Sequence, residues 1–106
     1  MSTDDKTILK IKDIAKSAIP SGSKAILYGS RARGDARNDS DWDILILLHK
    51  DKLEQTDYDK VSYPFVLLGC DLGTEINPIL YTKKEWESYN FTPFYENVNR
   101  DGISLI

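Results

Sequence analysis

The chain has 106 residues, a net charge of −3, and a composition that is 41% hydrophobic and 29% charged, which fits one soluble globular domain over residues 1–106 with a core that needs no covalent staples. The acidic balance excludes broad, sequence-independent DNA binding, which requires a basic face. One cysteine, Cys70, excludes an intramolecular disulfide and suits a reducing cytoplasm, the expected location.

The opening residues, Met1 to Lys6, lack a basic stretch followed by an apolar core, so no signal peptide is expected. No apolar run approaches the roughly 20 residues needed to cross a bilayer, so no membrane association is expected. Ser2 to Ile19 predicts an amphipathic helix. Ser2 and Asp5 have capping-box spacing, and Ile8, Ile11, Ala15 and Ala18, with Ile14 beside them, recur on one stripe. Pro20, Ser21 and Gly22 end it. Lys24 to Tyr28 predicts a short buried strand, Gly29-Ser30 a turn, Arg31 to Gly34 a short helix and Ala36 to Ser40 a polar loop. Trp42 to Leu48 predicts a central strand. Asp51 to Leu72 reads as largely helical, with Pro64 as a break or a helix start. Thr74 to Tyr81 predicts a third strand, in which Pro78 requires an edge position or a bulge because proline donates no ladder hydrogen bond. Lys83 to Tyr89 predicts a short helix with Trp86 packing inward, and Asn90 to Ile106 reads as turn-rich. This order gives an α/β domain with a small mixed β-sheet flanked by helices.

The chemistry concentrates between Tyr28 and Leu48. Gly29 lets the backbone pass close to a ligand, and the free N–H groups and Ser30 hydroxyl of such a turn can bond phosphate oxygens. The spacing Gly29-x-x-x-x-Gly34 suggests a Walker loop, but Asp35-Ala36 stands where Lys-Ser/Thr is required, so that reading fails. Asp41 and Asp43 lie two residues apart at the mouth of a strand, so their carboxylates share a face about 7 Å apart and can reach common divalent cations. An isolated pair of this kind often just ends a loop. Here Asp43 abuts the apolar run Ile44 to Leu48, and like charges held at the rim of a core call for a neutralising cation. Magnesium prefers such oxygen ligands together with substrate phosphates.

Arg31, Arg33 and Arg37 can be read as ordinary surface charge, but three within seven residues beside a phosphate-type turn are expected to include one triphosphate clamp. From Gly29 to Asp43 the chain carries three positive and four negative side chains. The site is therefore expected to need its metal before a triphosphate. Glu75, at the start of the third strand and on one face with Asn77, is the natural third carboxylate. Trp42 points away from the acids into the core, His49 reads as exposed, and Cys70 as a buried thiol.

The combined pattern resembles the nucleotidyltransferase superfamily that includes DNA polymerase beta, and specifically its minimal bacterial members (the MNT domains). The signature is an apolar residue, Gly-Ser, about ten intervening residues, then Asp-apolar-Asp-apolar; this chain matches with Tyr28, Gly29, Ser30, Asp41, Trp42, Asp43 and Ile44. The minimal members often read G-S-R-A-R-G and then S-D-x-D, which is Gly29 to Gly34 and Ser40 to Asp43. Glu75 takes the place of the later acid, where aspartate is the commoner residue.

The resemblance implies the polymerase beta-like fold and transfer of a nucleoside monophosphate, AMP from ATP, to an acceptor hydroxyl with release of pyrophosphate. Asp41, Asp43 and Glu75 would be the catalytic and metal-binding acids for two Mg²⁺ ions, and Gly29, Ser30 and Arg33 the nucleotide-binding residues. Larger relatives carry extra helical domains that bind the acceptor. At this length the acceptor is expected to come with another protein or across a dimer of this chain. Minimal members commonly pair with helical HEPN-domain toxins as their antitoxins, which makes a HEPN-type protein the expected partner. The competing expectation is a non-catalytic, nucleotide-binding antitoxin that neutralises its partner by contact.

Overall fold

A computed structural model describes residues 3–106. The first helix, α1 (Thr3–Ala18), buries Ile11 and Ala15 from its apolar stripe, with Ile19 just beyond its end. Asp4 and Asp5 sit in its first turn and Lys16 in its last, each favourable to the helix dipole. The expected capping box at Ser2 lies outside the described residues. The chain turns through Pro20 to Ser23 into β1 (Lys24–Tyr28), passes a single helical turn, α2 (Ser30–Arg33), and returns through β2 (Trp42–Leu48).

β2 is apolar on both faces because both are covered. Five consecutive residues from Ile44 to Leu48 are buried, the pattern of a strand between two layers. The sheet has four strands in the order β3-β2-β1-β4. β1 and β2 are antiparallel, with Tyr28 opposite Asp43, and β2 runs parallel to β3 (Ile76–Thr82), with Asp43 opposite Asn77. Ile44 and Ile46 face α1 and α4 and meet Ile11, Ala15 and Phe65. Leu45 and Leu47 face the other way, against Trp86 and Val98 of the last two helices.

The crossover between the parallel strands is α3 (Gln55–Asp57), a π-helical turn at Tyr58–Ser62, and α4 (Tyr63–Leu72). Pro64 explains the irregularity: it cannot donate to the carbonyl four residues back and its ring crowds that carbonyl. The ladder slips by one residue, and the Tyr63 N–H bonds to Tyr58 O. Pro64 thus stands at the start of α4. Pro78 lies in the outer strand β3, the edge position that proline requires.

Thr82 caps α5 (Lys83–Ser88): its hydroxyl accepts from Glu85 N at 3.0 Å, and Glu85 Oε1 accepts from Thr82 N at 2.9 Å. Trp86 is buried as expected. The turn-rich reading of residues 90–106 is corrected by the structure. Pro93–Asp101 forms a helix, α6, and Ile103–Ser104 a short strand, β4, antiparallel to β1. Thr92 accepts from Tyr95 N at the start of α6, and Pro93 occupies its first turn. β4 covers the edge of β1 and delivers Leu105 to the core. The buried-thiol reading of Cys70 is corrected: it is exposed, because it falls on the outer face of α4. Among the described residues no helix is long and apolar enough to cross a membrane.

Candidate active site

Two loops and two strand ends converge where β1 gives way to α2. Gly29 has φ +75°, a left-handed conformation that L side chains rarely adopt. A Cβ there would lie 2.6 Å from Asp43 Oδ2, so the bare glycine is what lets the β1–α2 turn press against that carboxylate. Ser30 opens α2, half-buried beside Gly29, and Ala32 N and Arg33 N both donate to Gly29 O at 3.1 Å.

On the other flank Asp41 immediately precedes β2. Trp42 N donates to Glu75 O at 2.9 Å, which ties the start of β2 to the residue before β3. Asn77 Nδ2 donates to Asp41 Oδ2 at 3.2 Å. Glu75 shares a hydrogen bond with Asp41, and that bond, Asp41's charge, slight desolvation and Asp43's charge together hold the Glu75 carboxyl above its ordinary range. Gly69 makes this approach possible: a Cβ on it would lie 2.8 Å from Thr74 O, so only glycine lets α4 pack under the loop that carries Glu75.

The two aspartates thus have different neighbours. Asp43 lies against Gly29; Asp41 lies against Glu75 and Asn77. Among the described residues no three His, Cys, Asp or Glu side chains are drawn tightly enough together to cage a metal ion. The donor set nevertheless suits a hard divalent cation: carboxylate oxygens with surplus negative charge, one of which retains its proton more tightly than usual because its neighbours repel the anion.

The arginines separate into distinct roles. Arg31 is structural. Its guanidinium bonds Asp4, Asn38 O and Ser40 O at 2.9–3.2 Å, lies 4.5 Å from the Trp42 ring centroid, and leaves only 5% of the side chain exposed. It clamps the loop before Asp41 to the N-terminus of α1. Arg33 is 45% exposed; among the described residues its one ion pair within 4 Å is with the exposed Asp35, at 3.2 Å, and its charge also reaches Asp101 across the cleft, so its guanidinium is accessible to an incoming anion. Arg37 lies exposed in the loop, where its backbone N–H donates to Ser40 Oγ at 2.8 Å. His49 is exposed at the opposite end of β2 from Asp41.

Two clefts flank the acids. One, of about 490 Å³, is lined by Asp4, Arg31, Asn38, Asp41, Thr74 and Glu75. The other, of about 200 Å³, lies between the Gly29 turn and α6. Tyr28, expected only as the apolar residue before the Gly-Ser turn, and α6, not expected as a helix, form walls of the second. Burial first, then the charges of Asp43 and Tyr81, push the Tyr28 phenol up to about 12, so it stays neutral and keeps its proton.

The sequence matches the nucleotidyltransferase domain family over residues 8–95. No curated protein matches it significantly. Solved structures share the fold at low identity. A toxin–antitoxin structure with AMP-PNP superposes with a TM-score of 0.63 and 20% identity over 93% of this chain and 72% of that one. A complex of a tri-AMPylated Shewanella oneidensis HEPN toxin with an MNT antitoxin gives 0.62 and 17% over 98% and 72%. A candidate nucleotidyltransferase from Sulfolobus solfataricus gives 0.56 and 19% over 98% and 86%. With the Gly-Ser turn and the paired aspartates set at adjacent strand ends, and the family match spanning most of the sequence, the chain belongs to the nucleotidyltransferase domain family.

Proposed function

We propose that the protein transfers AMP from ATP, with Mg²⁺, to a hydroxyl of a HEPN-type partner protein, releasing pyrophosphate. The observation that carries this reading is the split environment of the two aspartates, Asp43 beside the Gly29 turn and Asp41 beside Glu75. That arrangement suits a triphosphate on one flank and an acceptor hydroxyl on the other. The neighbouring structures lend support, since one holds AMP-PNP and another an AMPylated HEPN toxin.

In this reading Asp41 and Asp43 would hold the metal ions, and Glu75 would complete the set on the acceptor side. Bound Mg²⁺ would neutralise the carboxylates and the phosphates and ease loss of the acceptor proton. Ser30 Oγ and the turn at Gly29 bind the β- and γ-phosphates. Arg33 leaves Asp35 for the same phosphates and steadies the charge that builds on the departing pyrophosphate. The acceptor oxygen attacks the α-phosphorus in line with that leaving group, and its proton passes to the carboxylates on the Glu75 flank or to water.

The test uses the protein and its HEPN partner with Mg-ATP, followed by intact-mass analysis. The partner should gain one or more AMP-sized increments. Asp41→Asn and Asp43→Asn should abolish the gain while leaving the fold intact, and removal of one charge should hold or slightly raise metal-free thermal stability. Full activity in either variant would sink the metal assignment. A stable complex with no mass change under any NTP would favour a non-catalytic antitoxin.

A further inference from the structure

The cleft between the Gly29 turn and α6 is lined by Tyr28, Gly29, Arg33, Phe94, Asn97 and Asp101. Its position is the first argument. Two of its walls, Gly29 and Arg33, belong to the turn assigned to the phosphates, so any ligand there is continuous with a triphosphate. Its size is the second. At about 200 Å³ it is smaller than the roughly 300–1,000 Å³ of pockets that enclose a whole drug-sized ligand, and suits one planar ring system.

Its chemistry is the third argument. Phe94 is half-buried and held edge-on by two rings, Tyr28 at 5.3 Å and Trp86 at 5.4 Å between centroids. A ring fixed in this way presents an oriented surface at little entropic cost. Arg100 donates to Asn97 Oδ1 at 3.2 Å and to Asp101 Oδ2 at 3.0 Å, so one guanidinium orients both polar groups of the wall. With its oxygen engaged, the Asn97 amide offers Nδ2 as a donor. The larger cleft beside Asp41 and Glu75 has no comparable ring, because Trp42 is buried beneath Arg31.

We infer that this cleft is the nucleoside end of the nucleotide site, where the base stacks on Phe94 while Asn97 and Asp101 hydrogen-bond its polar edge and the ribose. The inference rests on the proposed nucleotide chemistry and adds the element that recognises the nucleoside. α6 becomes a functional helix, and the acceptor is left the opposite flank.

The experiment compares Mg-ATP with Mg-tripolyphosphate by titration calorimetry on the full chain. The two ligands share the phosphates and differ in the nucleoside. The unmodified protein should bind ATP more tightly. Phe94→Leu should weaken ATP binding by about five- to a hundredfold, the range for a lost aromatic stack, while tripolyphosphate changes less than about twofold. Phe94→Trp should retain ATP. Because Phe94 also packs on Trp86, the exposed Asn97→Ala provides a variant that cannot unfold the core; it should cost ATP about two- to tenfold and tripolyphosphate nothing. Equal affinity of the unmodified protein for both ligands, equal losses of both in the variants, or unchanged ATP binding in folded variants would each overturn the cleft assignment and leave the transfer reading standing. Failure of the unmodified protein to bind either ligand would overturn both.

Discussion

A methyl group at residue 29 would meet Asp43 Oδ2 at 2.6 Å on a backbone that already favours glycine. Gly29→Ala should therefore displace the carboxylate, lower stability by about 1–2 kcal/mol and remove transfer activity, read by thermal denaturation and the mass assay. The neighbouring arginines should behave in opposite ways. Arg33→Ala touches one exposed ion pair and should leave stability within about 0.5 kcal/mol, yet weaken ATP binding by about one to two orders of magnitude. AMP binding should barely change, since the contacts proposed are to phosphates AMP lacks; equal losses would place Arg33 elsewhere. Arg31→Ala should instead cost about 2–3 kcal/mol, because it strips a buried guanidinium from three sets of oxygens and from the Trp42 ring. Arg31→Lys should recover little, as a point charge cannot span those acceptors. Nothing in the spacing of Arg31, Arg33 and Arg37 separates these roles. They are set by Asp4, 27 residues away, and by the fold that brings it across.

At the scale of elements, what the sequence made legible follows from how local the signal is. β1 and β2 carry the expected bounds because each apolar run ends at a turn residue or a charge. Pro78 at an edge and Pro64 at a helix start are consequences of one missing N–H. α6 is hidden in the sequence because its interior is polar, with Asn97, Asn99 and Arg100 obscuring the three residues, Phe94, Tyr95 and Val98, that pack inward. The Thr92-Pro93 pair was the available signal for its start. A different local tie anchors the crossover: Asp57 accepts from Lys50 Nζ at 2.9 Å and from Glu54 N at 2.8 Å, joining α3 to the end of β2. Burial would raise the Asp57 carboxyl, but the Lys50 hydrogen bond, the Glu54 N–H and the Lys50 charge together hold it below its ordinary 3.8. A lowered folded value means that the stabilisation is present above the unfolded value and is lost as pH falls through the folded one. Asp57→Asn should thus cost about 1 kcal/mol near neutrality, and the gap from the unmodified protein should close below about pH 4. A gap that stayed constant down to pH 2 in denaturant titrations would show that the charge contributes nothing.

For the whole molecule, the proposed division of labour across the acids decides what can be separated by mutation. Asp43 belongs to the flank with Gly29, Arg33 and α6; Glu75 belongs to the opposite flank, is exposed, and borders both the cleft with Asp41 and a groove of about 380 Å³ along α4 and β3. A carboxylate in that position is open to a hydroxyl presented by a large acceptor. Glu75→Gln should therefore leave ATP affinity within about twofold, a change of under 0.5 kcal/mol, while slowing the proposed AMP transfer to a HEPN-type partner by about two to three orders of magnitude, the scale on which a lost charge-stabilising group acts. Binding measured by calorimetry and transfer measured by intact mass under single-turnover conditions keep the two effects apart. If ATP affinity and transfer fall in equal proportion, Glu75 serves the nucleotide and the acceptor flank must be sought elsewhere. If transfer persists, the acceptor hydroxyl is activated without Glu75, and Asp41 with Asp43 suffices.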